Sequence, residues 1–319
     1  MARAQGARAQ LAAGFETVYG TPPAANGFWR MPFVSTSLGS EQPLLPSELL
    51  GYGRDPLAPV LDAISADGDV VVPIDQRFLG VWLKGLMGNP TTTGTGAART
   101  HEFRSGLYNL PSLSVEVGNP EVPSYRMMRG VKVNSLNWTM NRSGLVTATV
   151  ACIAQGESAP TAATAAGELE EMALARFSAF NGGISRGGSL LANVVSGTIN
   201  YSNNLERVET IRPDGMIDGA DEGMATLSGE ITVRFADTVL LDQARNGTPT
   251  ALTFAYTNTA GQRFQLVAHA VYLPRPRIAQ TGPGGVQATF NWQAAIDTAL
   301  GRMATVTLIN DVASYANPV

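Results

Sequence analysis

Side chains able to do chemistry are scarce in this sequence and lie far apart along it. There are two histidines, His101 in THEF and His269 in LVAHAV, and one cysteine, Cys152, in LVTATVACI (145–153). A structural zinc site needs about four close ligands, and a nucleophilic triad needs a histidine beside an activated hydroxyl or thiol. One cysteine and two scattered histidines supply neither spacing, and a lone cysteine excludes a disulfide within the chain. Cys152 reads as a buried, inert thiol. No G-x-S-x-G, phosphate-loop or dinucleotide fingerprint occurs. TGPGG (281–285) and GNPTTTGTG (88–96) are Gly-rich, but no strand–loop–helix with a lysine surrounds them, so they read as turns or flexible loops. Two carboxylates could still meet in space for glycoside hydrolysis. The acids closest in sequence, Glu168, Glu170 and Glu171, read as a solvated helix end. No catalytic, cofactor-binding or metal-ligating residue is nominated, and no enzyme or cofactor is expected.

Composition points the same way. Charged residues make up 15% of the 319 residues, below the usual quarter or so. Such a chain can bury much of its surface in its own core or against neighbours. Acids outnumber bases 26 to 22, for a net charge of −4. No dense basic run is present, which argues against tight binding of nucleic acid through its phosphates. The opening MARAQGARAQLAAG lacks the apolar core of a secretory signal, so none is expected. No run of 18 apolar residues suggests a membrane helix.

The elements are mostly strands. Residues 1–30 show no sustained period and read as an extended arm. PFVSTSLG (32–39) and the β-branched GDVVVPID (68–75) read as strands, with a Pro-rich loop, 42–59, between them. Asp75 is a candidate cap for a helix over 76–87, where Phe78, Trp82, Leu83 and Leu86 recur on one face. Gly88 and Pro90 end it. LPSLSVEVG (110–118) alternates cleanly. GVKVNSLNWTMN (130–141) changes phase near Asn134–Ser135, the mark of a bulge. SGLVTATVACIAQG (143–156) follows, then an Ala-rich stretch, 157–178, read as linker with a helical turn or two.

The pattern then recurs. VSTSL (34–38) corresponds to VSGTI (195–199) and GDVVV (68–72) to GEITV (229–233), both offset by 161 residues. A second helix is expected over 238–245, capped by Asp237, with Leu240 and Leu241 on its packing face. TALTFAYTN (250–258), RFQLVAHAVYLPR (263–275) and GGVQATFNW (284–292) match the three later strands in order, and RMATVTLIND (302–311) adds one more. The expected fold is mainly β: a tandem pair of sandwich or open-barrel units, each with one short flanking α-helix. The expected divisions are an arm at 1–30, a first unit at 31–156, a linker at 157–189 and a second unit at 190–319.

LGSEQPLLPSELLGYGRDPLAP and ADGDVVVPIDQRFLGVWLKGLMGNP resemble the first half of a tail tube protein of long-tailed, non-contractile bacteriophages. SGTINYSNNLERVETIRPDGMIDGADEGMATLSGEITVRFAD, VYLPRPR, TGPGGVQATFNWQAA and VTLINDVASY resemble the second. The resemblance runs from about residue 13 to residue 315. It implies two sheets per unit, subunits closed into β-barrel rings, and rings stacked into a hollow tube in the virion tail. The implied partners are further copies of the chain, a tape measure protein, tail terminator and distal tail proteins, and DNA as transiting cargo. Single-unit relatives form hexameric rings, so a doubled unit suggests trimers with pseudo-sixfold symmetry. A hexamer with the second half outside is the alternative.

On this reading the lumen candidates are Asp69, Glu116 and Glu230, acids in alternating strands. Candidates for inner sheets are the strands around 113–118, 132–140, 252–257 and 264–272. Ring-to-ring contacts are expected from the arm and from loops 40–60 and 202–226, with Phe15, Tyr19, Trp29, Arg54, Asp55 and Arg212 as candidates. A carbohydrate-binding or adhesive β-sandwich of the virion is the competing reading. Such binders cluster aromatics on loops, whereas Trp29, Trp82, Trp138 and Trp292 sit in the arm, a helix and two strands.

Overall fold

The computed structural model describes residues 3–278 and 285–318. Of the Gly-rich turn expected at 281–285, residues 281–284 lie outside the described residues. The chain is mainly antiparallel β. In chain order its principal elements are β1 (Gln10–Phe15), β2 (Ser35–Thr36), β3 (Gly39–Glu41), β4 (Ser65–Pro73), α1 (Leu79–Met87), β5 (Arg99–Arg104), β6 (Leu113–Asn119), β7 (Ser124–Asn141) and β8 (Thr147–Ile153). Then come β9 (Gly182–Arg186), β10 (Val194–Ser202), β11 (Thr226–Arg234), α2 (Val239–Asn246), β12 (Thr250–Thr257), β13 (Arg263–Tyr272), β14 (Gln287–Ala295) and β15 (Ala304–Asn310).

Strand β7 is the hinge of the first half. Its N-terminal part pairs with β6, whose other edge takes β1. Its C-terminal part pairs with β8, and the register shifts between Val133 and Ser135, where the alternation of the sequence changes phase. Beyond β8 lie β4 and then β2 and β3. One strand thus serves two sheets, because a bulge lets it turn from one into the other. In the second half β13 does the same. It pairs with β12 and, through β12, with β9, while its last residues pair with β14. Beyond β14 lie β11 and β10. Strand β10 also pairs along its full length with β7, from Ser135 opposite Ser202 to Asn141 opposite Ser196. Strand β15 ties β13 to β5 and so joins the halves a second time.

Registers in the two halves coincide residue for residue. Gly39 faces Asp67 as Asn200 faces Ser228, an offset of 161 for both members. Lys132 faces Ile153 as Tyr272 faces Gln293, an offset of 140 for both. The β6–β7 register shifts between Leu113 and Val115, and the β12–β13 register between Thr250 and Leu252. Gly68 and Gly229 share a local demand. A Cβ on Gly68 would come within 2.6 Å of the Ser37 carbonyl, and one on Gly229 would strike the carbonyl of Thr198, 161 residues after Ser37.

The apolar face of α1 enters the core, with Phe78, Trp82, Leu83 and Leu86 all buried. The helix starts at Leu79, later than the pattern suggests. The buried Asp75 carboxylate takes the amides of Arg77, Phe78 and Leu79, each at 2.9 Å, and so closes an intervening turn. Helix α2 is more exposed. Leu240 and Leu241 are buried, while Val239 faces solvent. One apolar core runs through both halves and joins them at Trp138 and Phe264, whose rings are 5.5 Å apart.

Two expected segments differ. Residues 1–30 are not a free arm: β1 is an inner strand, and Leu11, Ala12, Ala13 and Phe15 are buried. Small residues there pack on both faces, which erases the alternation that marks a half-exposed strand. The 157–189 linker contains β9, which belongs to the second half's sheet. Residues 157–178 form no helix and lie over the first half, with Ala166 and Phe177 buried.

Candidate assembly site

The two histidines and the cysteine are held in structural contacts. His101 is fully buried. Its Nε2 donates toward Asn310 Oδ1 (3.0 Å) and the Val312 carbonyl (3.1 Å), and its Nδ1 accepts from Thr92 Oγ1 (2.8 Å). Burial lowers its pKa, so the ring stays neutral. His269 Nε2 lies 2.7 Å from Thr305 Oγ1. The Cys152 thiol is buried and its pKa is pushed up to about 12 by desolvation. Among the described residues no three His, Cys, Asp or Glu side chains gather as a metal site would require. No described helix is long and apolar enough to cross a membrane.

The extended feature is instead a polar sheet face. The strands β2/β3, β4, β8, the C-terminal part of β7, β10, β11, β14 and the end of β13 pair in that order. One side carries the core residues Val70, Val150, Trp138, Ile199, Ile231 and Phe290. The other alternates with them and is dominated by uncharged polar groups. Across it Thr149 faces Asn137, Asn137 faces Asn200, and Asn200 faces Ser228. Its acids are Glu41, Asp67, Asp69 and Glu230. Asp67 is paired with Arg207, and Arg234 is a base on the same face as Glu230, by alternation along β11. Asp69 and Glu230 stand 161 positions apart and in matching registers, Asp69 opposite Ala151 and Glu230 opposite Asn291.

Glu116, nominated with them, lies elsewhere. It sits on β6, is 4% exposed, and accepts from Thr164 Oγ1 and from the Ala165 amide at 2.7 Å. Strand β6 is buried on both faces because residues 157–178 cover its polar side. Alternation showed that Glu116 shares a face with Ser114, not that another segment would cover that face.

Each half carries a hairpin between the first two strands of this sheet. In the first, Leu44 and Leu45 pair with Leu61 and Val60. In the second, Glu206 pairs with Asp221 and Val208 with Gly219. The offset is again 161. Both loops expose apolar side chains, Leu50 at 93% and Ile211 without any cover, and 211 is 161 positions after 50. Arg54 and Asp55 are exposed in the first loop. In the second, Arg212 grips Asp214 through Nε and Nη2 (3.0 and 2.8 Å) and Asp218 through Nη1 (2.7 Å). This grip holds the Asp214 carboxyl down at about 2. The remaining contact candidates are turned inward. Phe15 and Trp29 are buried edge to face, 5.9 Å apart, and Phe15 is held by Asn317 through both its amide and its carbonyl. Tyr19 is half-buried, and burial pushes its pKa up to about 12.

The described residues thus form an antiparallel β chain whose extended features are a long polar sheet face and two matched apolar-tipped hairpins. The sequence model of the phage tail tube proteins matches residues 6–294. The chain belongs to the phage tail tube protein family, and so is a structural component of the virion tail that assembles into a tube. No curated protein matches the sequence.

Proposed function

We propose that this subunit builds trimeric rings with pseudo-sixfold symmetry, each chain supplying two equivalent tube units, and that the rings stack into the conduit for genome delivery. The observation that carries this reading is the residue-for-residue agreement of registers and bulges in the two halves. The paired glycines and hairpins extend it. A decorating domain would have no reason to repeat the ladder that the first half uses. The units are therefore better bounded as residues from β1 through β8 and from β9 through β14, with 157–181 as the connection and β15 as an added strand.

In this reading the polar face lines the lumen. Three chains place six carboxylates, from Asp69 and Glu230, in one belt, among Ser, Thr, Asn and Gln. On that face the acids Glu41, Asp67, Asp69 and Glu230 outnumber the bases, with Arg207 paired to Asp67 and Arg234 on the same side as Glu230, so the weakly acidic, hydrogen-bonding wall repels phosphate on balance. The hairpins tipped by Leu50 and Ile211, with Arg54, Asp55 and Arg212, make ring-to-ring contacts, six per ring. Apolar side chains exposed on both loops need such a partner. The tape measure protein occupies the lumen before DNA, and terminator and distal tail proteins close the ends. No step is catalytic and no cofactor is involved.

Electron microscopy of the purified, polymerised protein tests this directly. End-on averages with threefold symmetry and six near-identical density lobes are expected. Averages with six whole chains per ring would overturn the trimer, and a protein that stays monomeric at high concentration would overturn the tube reading.

A further inference from the structure

From the junction between the two halves we infer the interface between neighbouring chains: Arg275–Ile278 of one subunit lies antiparallel along Ser35–Glu41 of the next, with Arg275 opposite Glu41. The inference rests on the tandem reading above and assigns the contact that reading needs. Inside one chain, β7 residues Ser135–Asn141 pair with β10 residues 196–202. In the second half the counterpart of Ser135–Trp138 is Arg275–Ile278, by the offset of 140 that relates β7 to β13. In the first half the counterpart of 196–202 is Ser35–Glu41, by the offset of 161.

Among the described residues, both counterparts are without a strand neighbour on the side in question. Ser35–Thr36 and Gly39–Glu41 pair, among the described residues, with β4 alone. Residues 273–278 follow β13 as unpaired chain, with Arg275 and Arg277 exposed. The internal junction pairs Ser135 with Ser202 and Trp138 with Ile199. Carried over, it pairs Arg275 with Glu41, Pro276 with Ser40, Arg277 with Gly39 and Ile278 with Leu38. Charge agrees: a guanidinium meets a carboxylate, both exposed in the single chain.

Backbone chemistry sets how this junction differs from its template. The Asn203 amide donates to the Asn134 carbonyl at 2.7 Å, so even-numbered residues of β7 turn their amide groups toward β10. By the same offset Pro276 turns its amide nitrogen toward the neighbour, and it has no N–H to give. Opposite it, the Ser40 amide is already given to Glu157 Oε2 at 3.0 Å. That step of the ladder therefore lacks both its bonds. The prolines keep the segment extended and bar it from pairing indiscriminately as a free edge. Recognition then falls on Arg275–Glu41 and on the Ile278–Leu38 step, where the Leu38 amide is already given to Thr36 Oγ1 at 3.1 Å and the one bond left to the ladder runs from the Ile278 amide to the Leu38 carbonyl. A second copy of the chain fits this edge because its own first half presents the complementary one, and head-to-tail repetition closes a ring.

Cysteine pairing tests the register. Arg275 and Glu41 fall at a non-hydrogen-bonded pair, where Cα atoms lie roughly 4.5 Å apart, within disulfide reach. Tubes assembled from the Arg275→Cys, Glu41→Cys double variant and oxidised are expected to give covalent chains ending at trimers on denaturing gels. An Arg275→Cys, Ser37→Cys variant, out of register, is expected to give none. A ladder continuing to six would keep the junction and overturn the threefold ring. Intact tubes in which the in-register pair fails to cross-link would overturn this interface while the tube reading stands. Because the two cysteines remove the charge pair, Arg275→Glu and Glu41→Arg serve as the second measurement. Each alone is expected to block assembly and the two together to restore it, and failure of the pair to rescue counts against the contact.

Discussion

Replacing Gly80 with alanine should be destabilising, and the sign should reverse when Tyr315 is truncated. Gly80 lies in the first turn of α1, where the C-terminal segment folds back over the helix. A Cβ there would fall within the ring of Tyr315, against Cζ, Cε1 and the hydroxyl. That ring cannot easily step aside. It is 3% exposed, its hydroxyl accepts from Asn310 Nδ2 at 2.8 Å, and its centroid lies 4.9 Å from His101. Lys84 also holds the Tyr315 carbonyl at 2.7 Å. Forcing a methyl group into such a site costs about 1–3 kcal/mol, and glycine-to-alanine in a helix returns up to about 1 kcal/mol. The net loss for Gly80→Ala should be up to about 2 kcal/mol once the full helix return is subtracted. Tyr315→Ala alone should cost about 3–5 kcal/mol through its lost burial. In that background the obstruction is gone, and Gly80→Ala should stabilise by up to about 1 kcal/mol. Urea denaturation of the unpolymerised subunit at matched slopes measures all four corners, with a coupling of about 1–3 kcal/mol expected, the overpacking cost itself. Equal effects of Gly80→Ala in both backgrounds would refute the close approach of helix and ring.

Other outcomes follow from the same packing. Removing the belt with Asp69→Asn and Glu230→Gln should leave subunit stability within about 0.5 kcal/mol, since both sit on a polar face, and should slow DNA ejection from assembled virions. Asp75 is buried, and desolvation raises its carboxyl to about 6 despite three amide bonds. A raised acid favours the protonated folded form, so this group's contribution is fully present below its unfolded value and is lost as pH rises through about 6. Urea midpoints taken from pH 4 to 8 should therefore fall across that window, and Asp75→Asn should remove that component. Cys152 should resist alkylation in the folded subunit and react only on unfolding, as mass spectrometry can read out. Gly229→Ala should lower the urea midpoint strongly, because its Cβ meets the Thr198 backbone and Trp292 at once.

Much of the architecture was legible along the chain because its carriers are local. β-Branched runs mark β4 and β8, period-two alternation marks β6 and β12, and the phase change at Asn134–Ser135 marks the bulge that lets β7 serve two sheets. Helix faces appear as recurring apolar positions such as Trp82 and Leu240. Gly68 and Gly229 recur at one spacing because the same backbone approach is needed twice. With two histidines and one cysteine the sequence offered no zinc spacing and no triad pattern from which to nominate a site.

What only the tertiary structure decided depends on segments remote in sequence. Alternation tells which residues share a face, but not what lies over that face. Asp69, Glu116 and Glu230 look alike along the chain. Glu116 is buried because residues 157–178 cross β6, while Asp69 and Glu230 remain on the polar face. Strand β1 is hidden for a related reason: Leu11, Ala12, Ala13 and Phe15 are packed from both sides, and a strand buried on both faces has no period to read. The pairing of β7 with β10 joins Ser135–Asn141 to Ser196–Ser202, edges remote in sequence whose match no local pattern specifies.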